Sequence, residues 1–213
     1  AGDRLEVAVR VRNIAGHKLP TAYPSRRVWI HLRVCDGNGA VVFESGKLQT
    51  DGSITGNDND ADPARYEPHH ERITAAGQVQ IYEPILGDRN DAVTTGLLTA
   101  TQYLKDNRLL PDGFDKASAG DDIAVAGAAR DDADFVAGGD RIVYSVTLGG
   151  AAGPPTVEAE LVYQPIGFRW AHNLEGYQAE EPARFVRYYD QAARDSAVVL
   201  ASDVHRVEPA PHA

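Results

Sequence analysis

Apolar and polar residues alternate along several runs near both ends of the chain. In the first run Leu5, Val7, Val9 and Val11 alternate with charged or small residues, and residues 28–34 repeat the pattern. Because successive side chains of a β-strand point to opposite faces of a sheet, this period of two predicts strands with one apolar face. Such a face is stable only when a second layer covers it. The sequence therefore predicts a mainly β fold, an immunoglobulin-like antiparallel β-sandwich.

The strand patterns divide the chain into a core, an insertion and a C-terminal segment. Core strands are predicted at about 4–46 and 140–170, and a long loop-rich, short-helical insertion separates them at about 47–139. A helix followed by an extended segment is predicted at about 180–205. We assign the whole chain, 1–213, to a single β-sandwich domain.

Turn residues and local patterns predict how some strands connect. The turn Asp36–Gly39 has the composition of a β-hairpin. Residues 4–46 are therefore predicted to form three antiparallel strands, the first two of them joined by the loop that contains His17. The Gly- and Pro-rich turn at 148–155 predicts a second hairpin between the strands on either side of it. Apolar residues at helical spacing predict a short helix over 97–104.

The formal net charge of −10 and the single cysteine argue against several classes of function. Nucleic-acid binding needs clustered basic side chains. Cys35 alone forms neither an internal disulfide nor a cysteine-rich metal site, and no C-x-x-C-H motif is present for covalent haem attachment. No apolar run reaches the roughly 20 residues of a transmembrane helix. No nucleophile-elbow, zinc-protease or phosphate-loop motif occurs, so the chain is predicted not to be an enzyme.

Residues 50–66 contain few apolar side chains and are rich in Asp, Asn and Gly. Calcium takes about six to eight oxygen ligands, which closely spaced carboxylates and amides in a loop can supply. The alternative is a solvated acidic loop built on Asx-turns. The calcium interpretation predicts these ligands: Asp51, Asp58, Asp60, Asp62 and Glu67.

A second set of potential metal ligands lies outside the acidic loop: His69, His172, Asp132, Asp134 and Asp140. Neighbouring residues of a strand face opposite sides, so His69 and His70 cannot readily share one metal. A mononuclear metal site built from His17, His69 and His172, with an enzymatic role, is a further option. The ordinary alternatives are hydrogen-bonding histidines and an aromatic corner around Trp170.

Six blocks, in order along the chain, carry a resemblance to a known family. They read NIAGHKLPTAYPSRRVWIHL, VVFESG, NDNDADPARYEPH, VQIYE, YLKDNRLLPDGFD and VYQPIGFRWA, and their most specific parts are Gly16–Thr21 and Lys105–Pro111. From about residue 4 to about residue 200, the chain resembles the C-terminal, haem-free β-sandwich region of bacterial multihaem c-type cytochromes. Ala22 stands where that pattern usually has Gly.

The resemblance implies a non-catalytic accessory domain of an electron-transfer system, in the periplasm or at the cell surface. The implied partner is a multihaem cytochrome segment or subunit that supplies haem c. Calcium bound by the acidic loop is predicted to stabilise the domain. Because multihaem cytochromes commonly complete iron coordination with a remote histidine, the resemblance also implies that His17 is an axial haem ligand in trans. The alternatives are a loop histidine bonded to backbone and, for the whole chain, a calcium-stabilised extracellular binding or adhesion module without redox role.

Overall fold

The structure, a computed structural model, describes residues 4–208. Within this range the strands are β1 (Arg4–Arg12), β2 (Arg27–Cys35), β3 (Val41–Ser45), β4 (Arg72–Ile73), β5 (Ile81–Tyr82), β6 (Pro84–Gly87), β7 (Val93–Thr94), β8 (Gln102–Asp106), β9 (Gly139–Thr147), β10 (Thr156–Gln164) and β11 (Val198–Arg206). The α-helices are α1 (Asp58–Ala61), α2 (Phe168–His172) and α3 (Glu180–Ala192), and short 3₁₀ helices form at Ala128–Arg130 and Asn173–Gly176.

The strands form two larger sheets and one small sheet. The first sheet has the order β1–β9–β4, with β1 antiparallel and β4 parallel to β9. The second has the order β11–β10–β2–β3 and is antiparallel, and β5 pairs with β2 near its start. The small sheet, β7–β6–β8, lies in the insertion. The predicted mainly β fold with antiparallel sheets is confirmed.

The main hydrophobic core contains residues of both larger sheets. It includes the apolar face of β2, from Val28 to Val34, and that of β9, from Ile142 to Val146. Because alternate residues of each strand enter this core, the alternation in the sequence is the packing pattern of a sandwich. The other face of β2 is covered as well, where Trp29 is fully buried in a second cluster.

β9 and β10 do not form the predicted second hairpin. β9 pairs with β1 and β4 in the first sheet, whereas β10 pairs with β2 and β11 in the second. β1 and β2 also lie in different sheets. Val146 of β9 and Val157 of β10 belong to the same core cluster, so consecutive strands bury apolar residues together while belonging to different sheets. The hairpin at Asp36–Gly39 is confirmed, because β2 and β3 pair antiparallel across it.

The predicted insertion is mostly irregular, with the short strands β4 to β8 and helix α1. The predicted helix over 97–104 is wrong. The chain turns at 97–99 and then forms β8, which pairs with β6. Leu97 and Leu98 are exposed, so a helix here has no core against which to bury its apolar side. The backbone of β8 gains ladder hydrogen bonds instead.

The C-terminal segment follows the prediction of a helix and then an extended run. α3 buries Val186 and Tyr189, and β11 pairs with β10. Across residues 4–208, no helix is both long enough and apolar enough to cross a membrane. The assignment of residues 1–213 to one domain stays a prediction.

Candidate functional site

The two most specific sequence blocks lie against each other. Leu19 and Leu109 exchange backbone hydrogen bonds of 2.9 Å each. Asn13 Nδ2 donates to the backbone oxygen of His17 at 2.8 Å and to that of Leu109 at 3.0 Å. Asn13 is buried, and its bond to Leu109 lies away from water, where hydrogen bonds are strongest. The His17 loop (residues 13–26) is therefore fixed to the second block.

A largely buried ion cluster holds the residue next to His17. Lys18 Nζ lies 2.8 Å from Asp106 Oδ2, and Arg108 Nη2 lies 2.7 Å from the same oxygen. Burial opposes ionisation of Asp106, but the two cations outweigh burial and hold its pKa below the ordinary value. Lys18 Nζ also donates to the backbone oxygen of Ile123 at 2.8 Å. Three separate segments of the chain thus meet beside His17.

His17 itself is exposed. Its Nδ1 lies 3.0 Å from the backbone oxygen of Lys18. A carbonyl oxygen only accepts, so in the neutral ring Nδ1 carries the proton and Nε2 keeps its lone pair. No hydrogen bond to Nε2 forms from any residue of the range 4–208. An imidazole that donates Nδ1–H to a carbonyl and leaves Nε2 free is in the form that ligates a metal ion.

A second histidine centre is buried. His69 Nε2 lies 2.9 Å from Asp132 Oδ2 and 4.0 Å from Asp140 Oδ2, and none of the three side chains is more than 2% exposed. Asp140 Oδ2 also accepts from the Tyr82 hydroxyl at 2.8 Å and from Gln80 Nε2 at 3.2 Å. Three of the second set of predicted metal ligands are therefore brought together. We call His69, Asp132 and Asp140 the buried triad.

Two amides determine where the proton sits on His69. Gln80 Oε1 accepts from the backbone N–H of His70 at 2.8 Å, so Gln80 Nε2 faces His69 Nδ1, at 2.8 Å. Asn107 Oδ1 likewise accepts from a backbone N–H at 3.0 Å, and its Nδ2 faces the same Nδ1 at 3.2 Å. Both groups facing Nδ1 are donors, so Nδ1 accepts and the ring proton is on Nε2. From there it is donated to Asp132.

Burial shifts two pKa values of the triad in opposite directions. It lowers the pKa of His69 to about 4, despite the pull of Asp132. It raises the pKa of Asp140 to about 7, and the nearby carboxylates of Asp132 and Asp134 add to the rise. For Asp132 burial is outweighed by hydrogen bonds from His69 and a backbone N–H, which lower its pKa. At neutral pH His69 is neutral, Asp132 is ionised and Asp140 is about half protonated.

The donor set of the triad does not fit a metal ion. A metal would take Nε2 of His69, and the ring proton would then move to Nδ1. Nδ1 faces two amide donors, so that proton would have no acceptor. Each unsatisfied buried group costs about 1–3 kcal/mol. The geometry therefore describes a hydrogen-bond network rather than a metal centre.

We therefore expect that zinc does not stabilise the folded protein through the buried triad. We expect wild-type protein and His69→Gln, both stripped with EDTA, to show the same change in Tm when zinc chloride is added. A zinc ion bound at about 100 times its Kd would stabilise the folded state by about 2.7 kcal/mol. A rise in Tm of that size in the wild type, absent from His69→Gln, would contradict this interpretation.

The other two residues of the second set, Asp134 and His172, lie elsewhere. Asp134 lies 3.7 Å from Arg141 at the surface. His172 stacks on Phe168 with ring centroids 4.0 Å apart, as the aromatic-corner interpretation proposes, and its Nδ1 is 2.8 Å from Glu175. Among the described residues, the triad is the group of potential ligands that comes together. The structure therefore does not assemble the mononuclear site of His17, His69 and His172.

Asp60, at the centre of the predicted calcium loop, has a buried cation as its partner. Its Oδ1 lies 2.8 Å from Arg27 Nη1, and both side chains are only 3% exposed. Its Oδ2 also accepts from the backbone N–H of Ile54 at 2.8 Å. Arg27 supplies the positive charge that sequence reasoning assigned to calcium.

The remaining predicted calcium ligands point to separate partners. α1 begins after Asn57, and residues two apart on a helix do not face each other, so Asp58 and Asp60 diverge. Asp51 and Asp62 each accept from a backbone N–H two residues further on, as in Asx-turns. Asp58 pairs with Arg65. Glu67 pairs with His70 and accepts from the backbone N–H of Val79. The structure does not bring these five carboxylates to a common centre.

The sequence did not reveal several polar residues that bind Asp60 or orient His69. Arg27 lies at the start of a strand, and Gln80 and Asn107 orient His69. Lys105 is 1% exposed and lies 3.1 Å from Glu83, and burial lowers its pKa. Charged residues are almost never buried without a partner, so composition alone does not identify Lys105 as a buried residue. The sequence signal for Lys105 and Asn107 was that both lie within the block Lys105–Pro111.

Comparisons with known proteins support the fold rather than a sequence family. No protein-family model and no curated protein matches the chain. Among solved structures, the fold is similar to part of a cytochrome that carries several haems. That protein is a penta-haem cytochrome c552 from Thermochromatium tepidum, matched with a TM-score of 0.54 and 16% identity over 97% of this chain. The match covers 37% of the cytochrome, and at this identity it shows the fold alone.

Proposed function

We propose that the chain is a non-catalytic, haem-free domain of an extracytoplasmic multihaem electron-transfer system. In this proposal His17 completes the coordination of a haem iron held by another segment or subunit. The similarity to part of a penta-haem cytochrome supports this class of assembly. The single cysteine supports placing the haem elsewhere, because covalent attachment through C-x-x-C-H needs two.

The observation that carries the proposal is the hydrogen bond from His17 Nδ1 to a backbone oxygen. In the neutral ring it leaves the lone pair on Nε2 of an exposed side chain, which is the form an axial ligand needs. His69 has the opposite tautomer, because amide donors face its Nδ1. The two histidines thus differ both in tautomer and in exposure, and His17 has the form and the accessibility that iron binding through Nε2 needs.

The anchoring of the His17 loop adds to this argument. Asn13 bonds the backbone of His17, and Lys18 is held by Asp106 on the neighbouring segment. A ligand on a restrained loop loses less conformational entropy on binding than one on a mobile loop. The bonds of Asn13 and Lys18 therefore favour coordination by restricting where His17 presents its imidazole.

The alternative function, a calcium-stabilised binding or adhesion module, depends on the acidic loop. Each predicted ligand of that loop already has a partner in the protein, so this alternative has the weaker support. Calcium binding stays a proposal for both functions. Elemental analysis of the purified chain for calcium and iron checks it.

Titration with a ferric haem octapeptide, which has one proximal histidine and an open distal position, tests the role of His17. We expect the wild type to convert the Soret spectrum from high-spin to low-spin, because Nε2 of His17 fills the open position. His17→Ala is expected to lose most of this conversion. His205→Ala, which removes another exposed histidine, is the control and should behave as the wild type. Equal conversion by His17→Ala and the wild type would contradict the proposal.

A further inference from the structure

Large apolar side chains are exposed at the end of the His17 loop, which contributes Tyr23, and on the surface beside it. Tyr23 is 51% exposed, Leu97 48% and Ile123 49%, Tyr103 is partly exposed, and Leu98 is fully exposed. Single exposed apolar residues are ordinary, but a contiguous group of them marks an interaction surface. We call these five residues the apolar face.

Two neighbouring surface cavities lie along the apolar face. One, of about 670 Å³, is lined by Leu97, by Tyr103 and by residues on both sides of Ile123. The other, of about 600 Å³, is lined by Tyr23 and by residues on both sides of the leucine pair. Pro24 lines the first cavity and Tyr23 the second, so these two adjacent residues stand between the cavities.

The apolar face adjoins the His17 loop through two cations. Lys18 Nζ donates to the backbone oxygen of Ile123, and the Arg108 guanidinium carbon lies 5.8 Å from the centre of the Tyr103 ring. Both cations also bind Asp106. A haem bound to Nε2 of His17 would lie against this loop, so the polypeptide that carries the haem must cover the surface next to it.

Carboxylates at the first cavity indicate the charge of the partner. Asp121 and Asp122 line this cavity and are exposed, and neither forms an ion pair with another residue of the range 4–208. Arg130 also lines the cavity. With a net charge of −10, the chain as a whole attracts cations. The complementary surface has an apolar centre and basic side chains at its rim.

We propose that the apolar face is the docking surface for the haem-bearing partner, which presents an apolar patch ringed by basic side chains. The proposal rests on the function proposed above and names the surface through which that partner binds. Apolar contacts at the centre supply affinity, and Asp121 and Asp122 at the rim steer the approach of the partner.

A lysine-rich monohaem cytochrome c, whose iron already has both axial ligands, is a probe for this surface. Its Kd for the full chain is measured by calorimetry at low ionic strength. Leu97→Ser/Leu98→Ser is expected to raise the Kd about tenfold, because it removes apolar contact at the centre of the interface. The matched control, Leu200→Ser/Val204→Ser, removes two exposed apolar side chains from β11 and should change the Kd less than about twofold.

The charges are tested in the same way. Asp121→Asn/Asp122→Asn is expected to weaken binding several-fold, with a smaller dependence on salt. Glu180→Gln/Glu181→Gln removes the same charge from exposed positions at the start of α3 and should have a smaller effect. Equal weakening by both charge pairs, or by both apolar pairs, would overturn the proposal in favour of attraction by overall charge or surface apolarity.

His17→Ala separates the two proposals. Its Kd for this cytochrome is expected to equal that of the wild type, because no axial position is open. If the haem octapeptide does not bind through His17 but the face variants weaken docking, the docking surface stands and the ligand role falls. If the octapeptide binds through His17 and the face variants have no selective effect, the ligand role stands and the docking surface is refuted.

Discussion

Replacing Asp60 by alanine is expected to lower the free energy of unfolding by about 3–5 kcal/mol, because it leaves a buried guanidinium without its counter-ion. Both oxygens of Asp60 accept from Arg27 Nη1, at 2.8 and 3.0 Å. Arg27 also donates to Gln164 Oε1 and to the backbone oxygen of Gly52, each at 2.9 Å. These bonds keep the guanidinium in place when its partner is removed. Urea unfolding followed by tryptophan fluorescence measures the loss.

Asp62→Ala is the matched control for Asp60→Ala. Asp62 belongs to the same acidic loop but makes one backbone hydrogen bond, so the expected loss is about 0.5–1 kcal/mol. Both variants are measured in EDTA and in excess calcium chloride. The loss caused by Asp60→Ala is expected to be the same in both, because its partner is Arg27. A loss that appears only with calcium would show that Asp60 acts as a calcium ligand instead.

The second large effect is expected in the pH dependence of the free energy of unfolding when either His69 or Asp140 of the buried triad is replaced. In the folded protein between about pH 4 and pH 6.5, the proton of the pair is on Asp140 and His69 is neutral. In the unfolded chain, with ordinary pKa values of about 3.9 and 6.5, the proton is on the histidine and the aspartate is ionised. Both states bind one proton, so the pair contributes almost no pH dependence in this window.

Replacing either His69 or Asp140 makes the pH dependence of stability that the other residue contributes measurable. In Asp140→Asn only His69 remains, and its folded pKa lies below the unfolded value, so stability relative to the wild type falls as pH decreases from 6.5 to 4. In His69→Gln only Asp140 remains, and its folded pKa lies above the unfolded value. Relative stability therefore rises as pH decreases from 7 to 4.

The two difference curves have opposite slopes, each spanning on the order of 3 kcal/mol, since one pKa unit corresponds to about 1.4 kcal/mol. Urea unfolding of the three proteins at intervals from pH 4 to pH 7.5 measures them. Any direct effect of a substitution on packing changes the free energy of unfolding by the same amount at every pH, so it does not change the slope of the difference curve. Parallel slopes for the two variants would contradict the assignment of this proton to Asp140.

The sequence predicted local structure well where a single strand or helix determines it. The alternation in β1, β2, β9 and β10 marks strands because each buries one face. The same alternation does not say which strands pair, since an apolar face is buried equally well within a hairpin or across the core. For this reason the strands β9 and β10 were wrongly predicted to be neighbours in one sheet.

The candidate site was predictable only in part. The resemblance blocks containing His17 and Lys105 proved to be in contact, and the second set of ligands included all three residues of the triad. The tautomer of His69 depends on partners distant in sequence, such as Asn107, so no spacing reveals it. The partner of Asp60 in the acidic loop could not be predicted, because Arg27 comes from a different part of the sequence.

The most direct test of the central claim is which histidine ring contacts the iron. Protein labelled with ¹⁵N-histidine is mixed with the ferric haem octapeptide and examined by NMR. We expect hyperfine shifts for the ring nitrogens of His17, while those of the other six histidines stay at their positions in the free protein. Hyperfine shifts at another histidine, or at none while the protein is present in excess, would contradict it.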